Sequence, residues 1–330
     1  MATAAPAATA TPTETAAAGP SDAPATGAIP LTGAAPVTGA APAIGTTLVI
    51  GATGTTGSRI AARLAAAGHA VRAAGRKAAP VAGAEPARFD WYDPGTHPAA
   101  LDGIDRVYVI PPVGDPDPAT VVLPFLRRAR AAGVRRAVLL SASSIPEGGP
   151  AVGQVHGALP GIFDEWAVLR PSWFMQNFTG DHPHATGIRT EGLIRTATGT
   201  GRVGFVDADD IAAVAFHALT DDRAPDTDLV LTGPEALAYD DIARVITETT
   251  GRPVTHRPLS YEELRDRLAT QMPEEFAALL AGMDRAIAEG AEDRVTDTVP
   301  RLTGRPAGSF RALAERELSH HLAYLGRPGA

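Results

Sequence analysis

The chain contains no cysteine and a single lysine, Lys77. Without cysteine it cannot form disulfides, use a thiolate nucleophile or bind zinc through thiolates. With one lysine it can hold only one site that depends on a lysine amine. These two absences exclude whole classes of catalytic machinery before any motif is considered.

Long apolar runs and an excess of positive charge are missing as well. No stretch is long and apolar enough to predict a membrane span. The formal net charge of −8 argues against a nucleic-acid-binding surface. Hydrophobic residues make up 45% of the 330 residues, which is enough for a sizeable core. We therefore expect a globular protein whose partner is neither a nucleic acid nor a membrane.

Residues 1–44 form an Ala/Pro/Thr-rich tract without hydrophobic periodicity. The tract repeats itself, with LTGAAP at 31–36 and VTGAAP at 37–42. Such a composition buries too little apolar surface to offset the entropy lost on ordering. It also lacks the basic segment and apolar core of a secretory signal. We predict a disordered tail and a cytoplasmic location.

A glycine-rich turn follows the apolar run at 47–50. Its glycines, Gly51, Gly54 and Gly57, would permit a tight turn, close approach of backbone to phosphates, and close packing of helix on strand. A helical pattern and a second strand come next, the order that lays a dinucleotide pyrophosphate on a helix N-terminus. Glycines at this spacing also occur in ordinary turns. The context favours a cofactor site made by Gly51, Thr53, Gly54, Thr55, Thr56 and Gly57.

The end of the second predicted strand indicates which dinucleotide binds. NAD-preferring folds usually place an acid there for the adenine-ribose hydroxyls, whereas this strand runs into Arg76 and Lys77. The Arg76 guanidinium offers paired donors to a 2′-phosphate, and Lys77 adds a second positive charge. The alternative is a solvated pair of cations. We predict NADPH as the cofactor.

Short apolar runs alternate with helical patterns along the rest of the chain, which is typical of a doubly wound parallel sheet. The predicted strands are 47–50, 70–75, 106–110, 137–140, 166–169 and 228–231, with a short strand and its exit at 88–91 and helices at 119–133, 211–219 and 239–250. We predict an α/β, Rossmann-like domain over 45–232 and a smaller, mostly helical substrate-side region over 233–330. Asp209 or Asp210 is the expected N-cap of the helix at 211–219.

Ligands of such sheets bind at the carboxyl ends of the strands, so residues that follow the strands should line one crevice. We expect Asp90 near the adenine, and Pro111, Pro112 and Ser141 at the nicotinamide. The expected substrate contacts are Ser143, Trp173 and Asn177, because an aromatic wall suits a flat cation. A strand-end hydroxyl can equally bond to nearby backbone. Phe174 and Phe178 can equally be core residues.

Several stretches resemble the NmrA-like atypical short-chain dehydrogenases, and within them the ergot-alkaloid reductases of the festuclavine synthase and agroclavine dehydrogenase types. The matching stretches are the glycine turn, FDW at 89–91, VLLSAS at 138–143, GGPAVGQVH at 148–156, LRPSWFMQNF at 169–178, the stretch 205–213, GPE at 233–235 and YDD at 239–241. Together they span most of residues 46–260. The resemblance implies an NADPH-dependent reductase of natural-product metabolism that acts on an imine or iminium carbon.

The proton-donating pair of typical short-chain dehydrogenases, Tyr-x-x-x-Lys, cannot occur here, because the only lysine lies in the predicted cofactor loop. A ketone needs an acid or an oxyanion site, since charge builds on its oxygen as hydride arrives. An iminium carbon is already cationic and needs mainly positioning. The sequence favours reduction of a small cyclic, cationic substrate. A non-catalytic NADP(H)-binding regulator and a quinone or azo reductase are the alternatives.

Histidines supply the remaining candidates. His156 lies near the place of the missing lysine, and with Ser141 it is a candidate catalytic residue, although it can equally be a packing histidine. The pairs at 182/184 and 320/321 lack further ligands at metal-binding spacing, so we expect them to be solvated and predict no metal site. For assembly, the sequence leaves both a monomer and a homodimer open.

Overall fold

A seven-stranded parallel sheet lies at the centre of the computed structural model, which describes residues 45–318. The strands are β1 (Thr46–Ile50), β2 (Val71–Gly75), β3 (Glu85–Arg88), β4 (Ile104–Val109), β5 (Arg136–Leu140), β6 (Glu165–Pro171), β7 (Leu193–Thr196), β8 (Arg202–Val203), β9 (Thr227–Leu231), β10 (Leu237–Ala238) and β11 (Thr255–Pro258). The large sheet has the order β3-β2-β1-β4-β5-β6-β9. In its register, Val49 of β1 lies beside Ala73 of β2 and Tyr108 of β4. This order reverses direction next to β1, as in dinucleotide-binding folds.

Helices cover both faces of this sheet. The helices of the described residues are α1 (Thr55–Ala66), α2 (His97–Leu101), α3 (Ala119–Ala131), α4 (Val152–Ala158), α5 (Pro183–Glu191), α6 (Ala208–Thr220), α7 (Tyr239–Thr250), α8 (Tyr261–Ala269), α9 (Glu274–Ala288), α10 (Thr298–Thr303) and α11 (Phe310–Glu317). Side chains of α1, α6 and α10 form one core with the sheet, and those of α2, α3 and α4 form the other. The predicted α/β, Rossmann-like class is confirmed.

A second group of elements lies at the carboxyl edge of the sheet. It contains two small sheets, a parallel pair of β7 with β11 and an antiparallel pair of β8 with β10. Its own core includes side chains of α5, α7 and α11. This group takes one part from the stretch between β6 and α6 and another from beyond β9. The domain boundary at 232 stays a prediction.

Two local predictions were wrong. The strand expected at 88–91 is β3, which ends at Arg88. Phe89 and Trp91 follow it and turn into the core, where the Phe89 ring stacks on His97 and meets Trp91 edge-on, each at a centroid distance of 4.8 Å. Burial of these rings outweighs continuation of the strand.

The N-cap of α6 was also misplaced. The cap is Asp207, whose side chain accepts the backbone N–H of Asp209 at 2.9 Å. Asp209 instead pairs with Arg59 of α1, and Asp210 accepts the N–H of Gly308. In a run with three aspartates, the sequence does not show which one lies outside the helix.

None of the helices within 45–318 is long and apolar enough to cross a membrane. The predicted disordered tail at 1–44 and the histidines at 320 and 321 lie outside the described residues.

Candidate active site

The glycine turn between β1 and α1 has the backbone that a dinucleotide cradle requires. Gly51 has a φ of +71°, a conformation that other residues rarely adopt. A Cβ on Gly57 would lie 2.2 Å from the carbonyl oxygen of Gly51. Gly54 is the N-cap of α1, no side chain caps this helix, and its first turn holds no acid. The positive end of α1 is therefore left for an anion such as a pyrophosphate.

The three threonines of the turn differ in what they can offer a ligand. Thr53 and Thr55 are exposed, whereas Thr56 is 2% exposed. The Thr56 hydroxyl accepts a long hydrogen bond, 3.4 Å, from the Tyr108 phenol within the core. Thr56 can therefore offer a cofactor its backbone N–H, while its hydroxyl faces away from the crevice.

Arg76 and Lys77 lie beside the same turn. They line a cavity of about 170 Å³ together with Ala52, Thr53 and the end of β2. Both side chains are exposed and neither makes an ion pair with another described residue. The fold thus places the two positively charged side chains and the glycine turn around one small cavity, an arrangement that suits a phosphorylated ribose.

Asp90, Pro111 and Pro112 follow β3 and β4 at the same edge. Asp90 is partly buried, and its Oδ1 accepts the backbone N–H of Tyr92 at 3.0 Å. The indole N–H of Trp91 donates to the carbonyl oxygen of Ile110 at 3.1 Å, which fixes the chain where it enters the two prolines. The side chain of Ile110 in turn lies against Gly51. Both loops are thereby held next to the glycine turn.

Ser141 and Ser143 follow β5 but have different surroundings. The Ser141 hydroxyl is buried and has no hydrogen-bond partner among the described residues. The Ser143 hydroxyl donates to Glu292 Oε2 at 2.7 Å. A buried, unpaired hydroxyl at the carboxyl end of a central strand fits a missing polar ligand. Together with the uncapped α1, Ser141 makes this crevice suited to a nicotinamide dinucleotide.

Arg170 of β6 supports the segment that carries Ser143. Its guanidinium donates to the Ser143 carbonyl oxygen at 2.9 Å and to Asp228 of β9 at 2.6 Å. Arg294 also donates to the Ser143 carbonyl oxygen. Ser143 is therefore tied to three side chains, so part of its role is to join β5 to the segment after α9.

His156 lies on α4 with its side chain in the protein interior. It is 2% exposed and its Nδ1 has no described partner. Burial lowers its pKa, and the charges of Asp228 and Glu147 oppose that effect. The imidazole is therefore neutral near pH 7. A catalytic role for His156 stays a prediction, and the buried ring offers a substrate little open surface.

Two adjoining cavities lie beyond the strand ends. The first, of about 590 Å³, is lined by Ser143, Arg170, Trp173, Met283, Glu292 and residues near them, and we call it the Ser143 cavity. The second, of about 550 Å³, is lined by Trp173, Asn177, His184, Tyr239, Met283, Asp284 and their neighbours, and we call it the Asp284 cavity. Trp173 and Met283 line both. Volumes of this size suit small ligands.

The three predicted substrate residues lie on these walls. Ser143 lines the first cavity, Asn177 the second, and Trp173 both. The neighbouring rings of Phe174 and Phe178 pack in the core, which is the alternative that the sequence left open for them. Phe178 is 1% exposed and packs on Phe205 and Phe310, and Phe174 packs against the sheet core.

Asp284 and Tyr239 were missed by the sequence analysis. The Asp284 Oδ2 accepts the backbone N–H of Ala197 at 2.8 Å, and burial raises the pKa of Asp284 to about 6. A signal for it exists in the sequence. Asp284 shares a face of α9 with Ala277 and Ala281, both fully buried. A lone acid on a buried helix face indicates a functional carboxylate.

The 182/184 pair, predicted to be solvated, is half-buried and lines the Asp284 cavity. The His184 ring stacks on Phe178 at a centroid distance of 5.6 Å and lies edge-on to Tyr239. His182 caps α5, accepting the N–H of His184. Burial lowers the pKa of His184 to about 3, with the nearby His182 and His256 adding to the effect. No group of three potential metal ligands occurs within the described part of the chain.

Comparisons with known proteins agree with this geometry. A family model described as NAD(P)H-binding matches residues 51–159. An uncharacterized oxidoreductase of Bacillus subtilis, YesF, is 46% identical over 272 residues, which is 82% of this chain and 93% of that protein. Festuclavine synthase II of Penicillium roqueforti is 38% identical over 274 residues, 80% of this chain and 95% of that protein.

The chain belongs to the NmrA-like atypical short-chain dehydrogenase/reductase family. As a member, this NmrA-like reductase is an NAD(P)H-dependent oxidoreductase, and the predicted nicotinamide cofactor is confirmed. The fold agrees with the structure of Citrobacter sp. triphenylmethane reductase complexed with NADP(H). That comparison has a TM-score of 0.67 at 24% identity and covers 82% of this chain and 99% of that one.

Proposed function

We propose that this NmrA-like reductase transfers hydride from NADPH to the imine or iminium carbon of a small cyclic substrate. The observation that carries the proposal is an intact cofactor crevice in a chain that lacks the usual acid. Its single lysine, Lys77, lines the cavity beside the glycine turn. The sequence similarity to a festuclavine synthase supports a natural-product substrate.

The described tyrosines do not replace the missing acid. Tyr92 is exposed and donates to Asp115, Tyr108 is buried in the sheet core, and the Tyr261 ring packs under Arg285. Tyr239 lines the Asp284 cavity, and burial raises its pKa well above the usual value. None of the four lies in the segment between β5 and β6, where the acid of a typical short-chain dehydrogenase would lie.

Each part of the crevice has a distinct task in this proposal. Arg76 and Lys77 hold the 2′-phosphate, the α1 N-terminus holds the pyrophosphate, and Asp90 lies near the adenine. Ser141, with Pro111 and Pro112, shapes the nicotinamide pocket. The bound cofactor supplies the hydride. Trp173, Asn177 and Ser143 orient the substrate and exclude water, and an acceptor that is already cationic needs no proton from the chain.

The test is a panel of acceptors offered with NADPH. We expect consumption of NADPH with cyclic iminium ions, while simple ketones of the same shape react slowly. Turnover of quinones or azo dyes alone would overturn the iminium assignment in favour of another reductase activity. Tight NADPH binding without turnover of any acceptor would indicate a cofactor-sensing regulator.

A further inference from the structure

The Asp284 cavity holds a carboxyl group that has no counter-ion among residues 45–318. Its ionisable lining groups are Asp181, His182, His184, Glu191, Arg195, Tyr239, Arg267 and Asp284. Asp284 makes no ion pair with a described residue, and its one hydrogen bond comes from the backbone N–H of Ala197. The positively charged candidates to balance the Asp284 carboxylate are the arginines and histidines that line the cavity.

The two arginines of the cavity are engaged with another acid. Arg195 donates two hydrogen bonds to Glu191, at 2.9 and 2.6 Å. The charge of Arg267 acts on Glu191 as well, lowering its pKa together with that of Arg195. No arginine contributes to the pKa of Asp284, which burial alone raises. The charges of Arg195 and Arg267 therefore stabilise the Glu191 carboxylate.

The two histidines of the cavity do not supply a positive charge either. Burial lowers the pKa of both His182 and His184, the latter to about 3. Near neutral pH both imidazoles are uncharged. Asp181 is exposed at the cavity rim and adds negative charge. Asp284 is left as a half-buried carboxylate without a charged partner among the described residues, an arrangement that a bound cation would stabilise.

Aromatic rings complete the surroundings of this carboxylate. Tyr239 is 1% exposed and buried against His184, and the charge of Asp284 raises its pKa further, so the two side chains are electrostatic neighbours. Trp173 forms the wall shared with the Ser143 cavity. A carboxylate and a partly exposed indole on the walls of one cavity, here Asp284 and Trp173, are the combination that binds an organic cation.

We propose that Asp284 is the specificity-determining residue of the substrate site and binds the cationic nitrogen of a flat, cyclic amine or iminium ion against Trp173. The inference deepens the proposed function and rests on it for the identity of the acceptor. A cation seated here lies beside Trp173, which also lines the Ser143 cavity at the end of β5.

The test measures binding without chemistry. The protein complexed with NADP⁺, which has no hydride to give, is titrated by calorimetry with N-methylquinolinium and with its neutral analogue N-methylquinolone. We expect the cation to bind at least about tenfold more tightly than the neutral ring, a difference of about 1.4 kcal/mol. Asp284→Asn should remove that preference while the neutral ring binds within about twofold of the parent.

Glu289→Gln is the matched control, because Glu289 is exposed just after α9, and it should leave both affinities unchanged. Equal loss of cation and neutral ring in Asp284→Asn would overturn the proposal, as would a cation that binds no better than the neutral ring to the parent. If Asp284→Asn does not fold, the pH dependence of cation binding to the unmutated protein still tests the proposal. Its affinity for the cation should fall about tenfold per pH unit below pH 6 and level off above it. A flat profile would overturn the assignment.

These outcomes are separate from those of the proposed function. A protein that prefers the cation but reduces only quinones would contradict the iminium reductase and leave the cation site standing. A protein that reduces iminium ions with no dependence on Asp284 would contradict the cation site and leave the iminium reductase standing.

Discussion

Gly57 and Gly51 are in such close contact that a side chain on Gly57 is impossible without movement of the backbone. A Cβ at this position would lie 2.2 Å from the Gly51 oxygen and 2.8 Å from its carbonyl carbon. The contact presses the first turn of α1 against the end of β1, which aims the helix N-terminus at the cofactor crevice. Stability and cofactor binding therefore depend on the same contact.

Gly57→Ala should destabilise the fold and weaken cofactor binding together. Overpacking of this kind typically costs about 1–3 kcal/mol, and displacement of α1 moves the N–H groups away from the pyrophosphate. Thermal unfolding and NADPH titration measure the two effects. Gly161→Ala is the control, since nothing lies within 4 Å of a Cβ there. Unchanged NADPH affinity in Gly57→Ala would contradict this account of the turn.

Arg76→Gln should shift the cofactor preference. Loss of a bidentate phosphate contact is expected to raise the KM for NADPH about tenfold or more, with the KM for NADH changing little. The comparison of kcat/KM with the two cofactors gives the result. Arg127→Gln removes an exposed arginine on α3 and should change neither value. Equal effects on NADPH and NADH would show that Arg76 is only a solvated cation.

Ser141→Ala and Ser143→Ala should behave in opposite ways. The Ser141 hydroxyl has no partner within the described residues, so its removal should leave the free energy of unfolding unchanged and weaken cofactor binding. Removal of the Ser143 hydroxyl takes a donor from the buried Glu292 and should cost about 1–3 kcal/mol of stability. Chemical denaturation and NADPH titration of both variants test this. A stability loss in Ser141→Ala would show that its hydroxyl is used within the protein.

Acid should destabilise the protein partly through His184. Its pKa is about 3 when folded and near 6.5 when unfolded. Between these values the unfolded chain binds more protons, so stability falls as the pH drops from about 6.5 to 3. His184→Phe should therefore flatten the decline of Tm with acid, although Asp207, whose pKa is lowered in the fold, still contributes. An unaltered slope in His184→Phe would contradict the burial argument.

The cofactor half of the site was predictable because its determinants are local. Gly51, Gly57 and Arg76 lie within one strand–turn–helix–strand unit, where spacing along the chain fixes position in space. The succession of strands and helices along the chain followed in the same way from alternating patterns. By contrast, the end of β3 depended on the packing of Phe89 against Phe125, a contact that no local pattern shows.

The substrate half was less predictable, because residues far apart in sequence build it. Trp173, Tyr239 and Asp284 come from three separate elements, and the small strands β7 and β11 that help to join them are too short to give a periodic pattern. The misjudged pair at 182/184 has the same cause, since Tyr239 and Phe178 bury the His184 ring only after the second group of elements has assembled.

The most direct test of the central claim is a comparison of two acceptors of similar shape. Consumption of NADPH is followed with an N-methyl dihydroisoquinolinium ion and with the ketone tetralone, each under steady-state conditions. Without a positioned acid, the ketone forgoes a general-acid contribution of about a hundredfold or more. We therefore expect kcat/KM for the iminium ion to exceed that for the ketone by about that factor. Equal efficiency, or a preference for the ketone, would contradict the account.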